Sequence, residues 1–239
     1  MKKGGSKKVL ITIGICALLL VWVFAVFFAS QYAVNYSLYW IFGESWYRSS
    51  IGSFVCLALS DILAVVLIIL VPHLVHKKLK TNRDELGLSE LPTWTDIGLA
   101  PIGYIVATLG ALGLVSLFSL FPWFNAAESQ NVGITFLTTG WDRALAFIKL
   151  VIIAPIAEEL VFRGWLYGKL RTKVNMPIAI LLVSLLFALV HGQWNVGVNV
   201  FAMSIVLCSL REITGTVYSG IIMHMIKNAI ALVLLMFMI

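Results

Sequence analysis

Charged residues are scarce in this chain. Lysine, arginine, aspartate and glutamate together make up only 12% of the 239 residues, whereas 61% are hydrophobic and the mean hydropathy is +0.99. So much apolar surface cannot be buried inside a soluble core of this length, which excludes a soluble globular protein. The composition therefore predicts an integral membrane protein.

Cysteine pairs and two common hydrolase signatures are also absent. Cys16, Cys56 and Cys208 lie singly in apolar segments without a CxxC pattern, which argues against a disulfide framework and a thiolate metal site. The sequence contains neither a GxSxG elbow nor an HExxH pair. No serine, cysteine or threonine nucleophile is indicated by these patterns.

Apolar runs of membrane-spanning length fill most of the chain. We predict an all-α, polytopic transmembrane helix bundle of about seven to eight helices, built as one structural unit from an N-terminal part, 1–95, and a catalytic helical core, 96–239. The first run is expected to be a mature helix rather than a cleaved signal, because roughly 20 apolar residues span a bilayer. The runs at 177–191 and 196–210 are short, so neighbouring helices are expected to shield them. The predicted spans are 9–30, 51–75, 97–121, 144–170, 177–191, 196–210 and 216–239.

Basic residues gather in short blocks beside these spans. Twelve of them fall within 1–8, 76–93 and 169–173 and at Arg211, whereas only Arg48 and Arg143 are assigned to the opposite side. By the positive-inside rule, the N-terminus is expected to be cytoplasmic. Because the basic residues do not line one exposed face, nucleic acid is not an expected partner.

Two adjacent acids and an arginine interrupt the most hydrophobic part of the chain, in the segment AEELVFR. Glu159 and Arg163 are four residues apart, so they share a helical face and the guanidinium can neutralise that carboxylate. Glu158 points about 100° away, without that local partner. A carboxylate in an apolar pocket can take a proton from water and later return it, so Glu158 is the predicted general base. The alternative is that both acids only hold helices together.

Two histidines follow on later apolar segments. A rise of about 1.5 Å per residue places Glu158, His191 and His224 each roughly 20 Å from the basic end of its helix, so they are expected to meet at a similar depth. His224 and Asn228 are four residues apart, and an imidazole beside an amide can hold the oxyanion of a tetrahedral intermediate. A polar clasp between helices is the alternative for this pair. Phe187, one turn before His191, is expected to pack against the imidazole or in the core.

The three motifs have a specific order: EExxxR at 158–163, FxxxH at 187–191 and HxxxN at 224–228. This ordered triplet resembles the CPBP family, the CAAX protease and bacteriocin-processing family, also called Abi, which includes the type II CAAX prenyl endopeptidases. The resemblance covers roughly residues 140–235. The first hundred residues carry no signature of the family beyond their apolar helices.

The resemblance implies an intramembrane peptidase that depends on glutamate. Glu158 and His191 would activate a water molecule, and His224 and Asn228 would stabilise the oxyanion. Supporting positions would be Glu159, Arg163 and Phe187. The resemblance favours direct activation by glutamate without a metal cofactor. A zinc site with two histidines and a glutamate as ligands is the alternative.

Two hypotheses from other classes remain open at this point. The first is a non-catalytic membrane binding or immunity protein that keeps the motifs for helix packing. The second is a small transporter that uses Glu158 and His191 as a proton relay, although the chain lacks the repeats common in transporters.

The substrate is predicted only as a class. Short lysine-rich ends and a compact length indicate a multi-pass protein of a bacterial cell membrane, for which prenylated substrates are not expected. Expected partners are the lipid bilayer and a membrane-associated or lipidated peptide or protein, such as a bacteriocin or signalling-peptide precursor; self-immunity is a related role. The sequence leaves the oligomeric state open.

A few further polar residues lie close to the motifs or inside other spans. Asp61 is expected to make a structural polar contact. Lys227 lies on a different face of its helix from His224, where it can bind a carboxylate or extend to the membrane surface. Gln193, Asn195 and Asn199 follow His191 closely enough to be candidate substrate contacts.

Overall fold

The computed structural model describes residues 3–75, 79–128 and 139–238. Within these ranges every regular element is a helix, so the prediction of an all-α membrane helix bundle is confirmed. The helices are α1 (Lys3–Tyr47), α2 (Ser50–Val75), α3 (Arg83–Leu86), α4 (Trp94–Phe118), α5 (Gly140–Phe147), α6 (Ala154–Glu159), α7 (Tyr167–Arg171), α8 (Met176–Leu189), α9 (Trp194–Thr214) and α10 (Tyr218–Met238).

Helices α5, α6 and α7 form one continuous helical course over residues 140–171, which we call the motif helix. Two π-helical stretches, Ile148–Ile153 and Leu160–Leu166, separate the three α-helical parts. The first stretch ends just before Pro155, which has no N–H and whose ring would clash with the carbonyl four residues earlier in a regular α-helix. A wider π turn relieves that clash, and the helix continues through the proline.

Five described helices are long and apolar enough to cross a membrane: α1 from Lys7, α2, α4, α9 and α10. Helix α8 is apolar but shorter. Large apolar side chains cover the outer surface of the bundle; Val21 is 62% exposed and Leu109 is 65% exposed. An apolar exterior suits contact with lipid. The chain is therefore a multi-pass membrane protein.

Several helix ends differ from the predicted spans. Helix α1 continues to Tyr47, well beyond position 30, with a kink at Gly43, whose φ is 80°. Helix α9 has 21 residues, so the prediction that this span is short was wrong; its apolar pattern extends outward to Trp194 and Thr214. Helix α8 ends at Leu189, so His191 lies in the following turn and not on the predicted helix.

A short loop closes the end of the bundle where the basic residues gather. The Lys169 ammonium donates to Glu85 Oε2 at 2.6 Å and to the Lys80 carbonyl at 2.7 Å. Gly168 allows the close approach of α3, because a Cβ there would lie 2.5 Å from the Glu85 carbonyl oxygen. Lys2, Lys77 and Lys78, which contribute to the predicted orientation, lie outside the described residues.

The hydrophobic core lies where the motif helix meets α1, α8 and α9. Phe162, Trp165, Phe187 and Leu207 are almost completely buried there. Close packing on several sides holds this part of the motif helix in one position. The polar residues of the first motif are thereby held at the centre of the bundle.

Candidate active site

Glu159 and Arg163 form the buried base of the site. Both side chains are completely inaccessible to solvent, and Arg163 Nη1 donates to Glu159 Oε1 at 2.9 Å, as their spacing predicts. The Arg163 Nη2 atom donates to Ser204 Oγ on α9 at 2.6 Å. A buried charge requires such partners, so this pair ties the motif helix to α9.

His224 on α10 lies between the two acids of the first motif. Its Nδ1 atom is 3.2 Å from Glu159 Oε1, and its Nε2 atom is 3.9 Å from Glu158 Oε2. A carboxylate paired with a guanidinium is an acceptor, so the hydrogen-bond network assigns a hydrogen to Nδ1. When Nε2 also carries a hydrogen, the charges of Glu158, Glu159, Arg163 and His224 sum to zero.

Glu158 differs from Glu159 in its surroundings. Its side chain is 20% exposed, whereas that of Glu159 is inaccessible. The Glu158 Oε2 atom is buried and forms no hydrogen bond with any part of the chain that the structure describes. A buried carboxylate oxygen without a protein donor is available to a water molecule or a substrate.

His191 lies in the turn after α8, where its backbone N–H donates to the Ala188 carbonyl. The His191 Nδ1 atom is 2.7 Å from the Phe187 carbonyl oxygen. Because a carbonyl can only accept, Nδ1 carries the hydrogen and Nε2 has a free lone pair in the neutral ring. The chain reverses at Gly192, whose φ of 68° suits glycine.

Phe187 is the aromatic centre of the site. Its buried ring lies 4.9 Å from the His191 ring and 6.2 Å from the His224 ring, between centroids. The Arg163 guanidinium carbon lies 4.3 Å from the same ring's centroid, in a cation–π contact. Phe187 therefore packs against both imidazoles and the arginine.

Asn228 on α10 is oriented by the backbone of the motif helix. Its Nδ2 atom donates to the Leu150 carbonyl at 2.7 Å. In the π-helical stretch, the Ala154 N–H bonds to the Lys149 carbonyl, and Pro155 has no N–H for the next carbonyl. The Leu150 carbonyl is thus free to accept from Asn228, whose Nδ2 retains a second hydrogen.

Gly220, His224 and Asn228 form one stripe on α10, which we call the α10 stripe. They are spaced by four residues, so they lie on the same helical face. Gly220 faces Glu159, and a Cβ added there would lie 2.8 Å from Glu159 Oε2. Gly220 and His224 both face Glu159 and Asn228 contacts Leu150, so three successive residues of the stripe meet the motif helix; the absence of a side chain at Gly220 allows the close approach.

One cavity of about 390 Å³ joins these groups, and we call it the catalytic cavity after the role that the sequence predicts for its four motif residues. Glu158, His191, His224 and Asn228 all line it, together with Lys227. Its apolar walls include residues of α1 and α2, which lie outside the motif region. The apolar wall residues are Phe27, Leu57, Leu150, Phe162, Val190, Val200, Ala231, Leu232 and Leu235.

Asn195 and Asn199 line a neighbouring cavity and not the catalytic one. Gln193 lines a third, apolar groove beside α8. These three side chains, predicted as candidate substrate contacts, therefore do not line the cavity that contains Glu158, His191, His224 and Asn228. The turn at Gly192 redirects the chain after His191, which the sequence spacing alone does not reveal.

Sequence reasoning missed an ion pair between α2 and the motif helix. Lys149 Nζ lies 2.5 Å from Asp61 Oδ2, and both side chains are only 6% exposed. Asp61 thus makes the expected polar contact, but the contact is next to Leu150, whose carbonyl orients Asn228. The sequence signal that could have predicted this ion pair is an isolated lysine in one apolar run and an isolated aspartate in another.

The zinc alternative requires three ligand side chains that can meet at one metal ion. Within residues 3–75, 79–128 and 139–238, no three His, Cys, Asp or Glu side chains form a group that could hold a metal ion. The zinc alternative therefore remains a prediction for solution chemistry to test.

The part of this chain that matches a known protein family is the part that contains the three motifs. Residues 140–230 match the family model described as "Type II CAAX prenyl endopeptidase Rce1-like". The resemblance to the CPBP family is confirmed. The matched segment begins with the motif helix and ends in α10, so it includes every residue of the three motifs at 158–163, 187–191 and 224–228.

Two curated bacterial proteins are similar to this chain. A Bacillus subtilis (strain 168) protein named "Putative membrane peptidase YdiL" is 27% identical over 178 residues, which cover 74% of this chain and 69% of the relative. The "UPF0177 protein YxdF" of Lactococcus lactis subsp. lactis (strain IL1403) is 29% identical over 94 residues, which cover 39% of this chain and 51% of that relative. The second match thus spans about half the length of the relative. No solved structure matches significantly.

Proposed function

We propose that this chain is a membrane-embedded endopeptidase in which Glu158 activates water for attack on a peptide bond. The observation that carries the proposal is the convergence of Glu158, His191, His224 and Asn228 on one cavity, where Glu158 Oε2 has no hydrogen-bond partner among the described residues. The match to the Rce1-like family model and the name of the Bacillus relative support the same reaction class.

The first step is attack by water. The Glu158 carboxylate accepts one proton from the water molecule while the neutral His191 Nε2 accepts a hydrogen bond from its other hydrogen. The water oxygen then bonds to the carbonyl carbon of the scissile peptide, and the carbonyl π electrons move to its oxygen. Both groups would hold the water in an apolar cavity that limits competing solvent.

The resulting oxyanion requires hydrogen-bond donors. His224 Nε2–H and the second hydrogen of Asn228 Nδ2 are the proposed donors, and the contacts to Glu159 and Leu150 orient these two side chains. Collapse of the intermediate breaks the carbon–nitrogen bond. Glu158 then returns its proton to the departing amine, which restores the carboxylate.

The proposed substrates are small membrane-associated or lipidated peptides, including bacteriocin or signalling-peptide precursors; self-immunity is a related role. The apolar walls of the catalytic cavity fit a segment that leaves the bilayer rather than a soluble polypeptide. We further propose a bacterial cell membrane as the location, with the N-terminus on the cytoplasmic side, from the distribution of basic residues.

The test compares the wild type with Glu158→Gln, both purified in detergent, on a library of lipidated and unlipidated membrane peptides read by mass spectrometry. Glu158→Gln keeps the side-chain shape, and we expect it to lower cleavage by roughly 10²–10⁴-fold at unchanged folding. Glu90→Gln, an isosteric change at an exposed acid, is the matched control. Equal cleavage by the wild type and Glu158→Gln would refute the mechanism.

Removal of metal ions tests the zinc alternative on the same samples. The proposed mechanism predicts that a chelator leaves the cleavage rate within about twofold, since glutamate activates the water directly. Loss of cleavage that added zinc restores would establish a metal mechanism instead.

A further inference from the structure

The buried ion pair of Asp61 and Lys149 lies where α2 meets the first π-helical stretch of the motif helix. Lys149 Nζ is 2.5 Å from Asp61 Oδ2, and each side chain is 6% exposed. Asp61 is the only Asp, Glu, Lys or Arg in α2, and Lys149 is the only one in the stretch Ile148–Ile153. Apolar residues often replace a buried ion pair without loss of stability, so stability alone is a weak explanation for this pair.

The ion pair adjoins the backbone that orients Asn228. The Lys149 carbonyl accepts a hydrogen bond from the Ala154 N–H, and the next carbonyl, that of Leu150, accepts from Asn228 Nδ2 at 2.7 Å. The lysine and the acceptor for Asn228 are therefore neighbours in one turn of the helix. Any rotation of this turn moves the Leu150 carbonyl and with it the Asn228 amide.

Helix α2 contacts the motif helix next to the catalytic cavity. Leu57 is four residues before Asp61, on the same face of α2, and it lines the catalytic cavity together with Leu150. Helix α2 lies outside residues 140–230, which match the family model. The N-terminal part of the chain thus contributes both a wall of the cavity and a charged contact beside it.

The π-helical stretch needs an anchor of this kind. A π turn contains one more residue than an α turn, so the residues before it can rotate relative to those after it when the extra residue moves along the helix. The salt bridge joins Lys149 to a residue 88 positions away in the sequence, on a separate helix. It therefore fixes the direction in which this turn faces, which aliphatic contacts alone specify weakly.

Both charges also act on Glu158 at longer range. Lys149 attracts the negative charge of that carboxylate, whereas Asp61 repels it. Because the two effects oppose each other, the pair as a whole acts on Glu158 less than either charge would alone. The direct route from the pair to the site is through the backbone, from Lys149 to Leu150 and then to Asn228.

We propose that Asp61 and Lys149 are positioning residues for Asn228, the proposed oxyanion donor. Their ion pair holds the Leu150 carbonyl where it orients the Asn228 amide in the catalytic cavity. Neither Asp61 nor Lys149 lines that cavity, so they act through Leu150 and not on the substrate. The inference rests on the proposed peptidase function and adds two residues to it, one of them from a helix outside the matched segment.

A kinetic cycle with Asn228 tests the proposal on the full chain in detergent. Asp61→Leu combined with Lys149→Met, which we call the apolar pair variant, removes both charges together. We expect its kcat to fall by roughly 10–100-fold, with KM within about threefold, because the donor is misplaced and not the substrate. Adding Asn228→Ala to this variant should give the kcat of Asn228→Ala alone, within about threefold, since both changes disable the same donor.

Two variants control for charge and for the loss of an ion pair as such. Lys149→Arg keeps the cation and should retain kcat within about threefold, as a positioning role requires. Arg171→Met combined with Glu212→Gln removes an ion pair at the basic end of the bundle. This control should leave kcat within about twofold, because exposed pairs contribute little.

A thermal cycle tests the same contact without cleavage. Melting temperatures are measured for the wild type, Asn228→Ala, the apolar pair variant and their combination. The decrease in Tm that Asn228→Ala causes should be smaller by about half or more in the apolar pair variant, where the hydrogen bond to Leu150 is already weakened. If the apolar pair variant does not fold, Asp61→Asn with Lys149→Met replaces it in both cycles.

Additive losses in either cycle would overturn the inference, because the pair would then act through Glu158 or through general folding. An unchanged kcat in the apolar pair variant would also overturn it. Absence of Glu158-dependent cleavage in the wild type would count against the proposed function alone. The thermal cycle would then still decide whether the ion pair positions Asn228.

Discussion

The basic end of the bundle and the motif region both contain charged residues, but they use them differently. At the basic end, Glu212 accepts hydrogen bonds from Tyr167 Oη at 2.5 Å and from Arg171 Nη2 at 2.8 Å, one through each carboxylate oxygen. In the motif region, one oxygen of Glu158 and one of Glu159 form no hydrogen bond with any residue that the structure describes.

This difference separates structural from functional polar groups. A carboxylate whose two oxygens both have protein donors contributes to stability and has little remaining capacity for a ligand. A carboxylate oxygen that is buried without a donor lowers the stability of the folded protein. Such an oxygen is retained where it has a function, for example in binding a ligand. The comparison therefore predicts that changes in the motif region affect catalysis or buried charge, whereas changes at the basic end have small effects.

The largest effect is expected for Arg163→Met. It leaves Glu159 buried without its guanidinium, so we expect a loss of about 3–5 kcal/mol in the free energy of unfolding. Combining it with Glu159→Gln removes the unpaired charge and should recover much of the stability, but not activity, because His224 then lacks its charged partner. Unfolding in mixed micelles followed by tryptophan fluorescence measures both variants. If Arg163→Met alone were as stable as the wild type, the structural role of the Glu159–Arg163 pair would be contradicted.

The next largest effect is expected for Asn228→Ala. It removes one of the two proposed oxyanion donors, so we expect kcat to fall by roughly 10²–10³-fold. Asn228→Asp keeps the shape of the side chain but replaces the donor with an acceptor, and it should lose as much. Initial rates on a cleaved peptide, at matched thermal stability, are the measurement. Cleavage within twofold of the wild type would remove Asn228 from the mechanism and favour the polar-clasp alternative.

A smaller effect is expected for Gly220→Ala. The added Cβ would contact Glu159 Oε2, so α10 must move away by a few tenths of an ångström, at about 1–3 kcal/mol. Gly98→Ala in α4 is the matched control, since a Cβ there meets no atom within 4 Å. The control should be neutral or slightly stabilising, because alanine favours helices. Equal thermal stability of the two variants would show that α10 tolerates displacement.

The smallest effect is expected for Arg171→Met at the basic end. The Arg171 and Glu212 side chains are 33% and 31% exposed, and solvent-exposed ion pairs contribute only about 0–1 kcal/mol. We expect the cleavage rate to stay within about twofold, and added salt to reduce the small stability difference further. A large loss of cleavage would show that the two ends of the bundle are coupled.

The class of fold and the position of the motifs could be predicted from the sequence because they depend on local properties. Long apolar runs specify membrane helices, and the predicted span 51–75 differs from Ser50–Val75 by a single residue. The contact between Glu159 and Arg163 is also local, since it needs only a helix and a four-residue spacing.

The remaining site contacts depend on tertiary packing between distant segments, which cannot be predicted from the local pattern of a single sequence. Glu159 and His224 are 65 residues apart, and Asn228 and Leu150 are 78 residues apart. The position of His191 in a turn follows from the end of α8 and the reversal at Gly192, where the apolar pattern gives no signal. The catalytic roles of Glu158, His191, His224 and Asn228 remain predictions, which the proposed experiments test.

The α10 stripe determines how far α10 can slide along the motif helix. Purely apolar helix interfaces in a bilayer have no strong positional preference along their axes, since one aliphatic contact resembles the next. Three contact residues spaced by about 6 Å, which is four residues of helical rise, oppose such a shift, because sliding α10 by one turn would separate His224 from Glu159 and Asn228 from the Leu150 carbonyl. The separation between the proposed base and the proposed oxyanion donors is therefore set by the contact between the motif helix and α10 and not by the length of any loop.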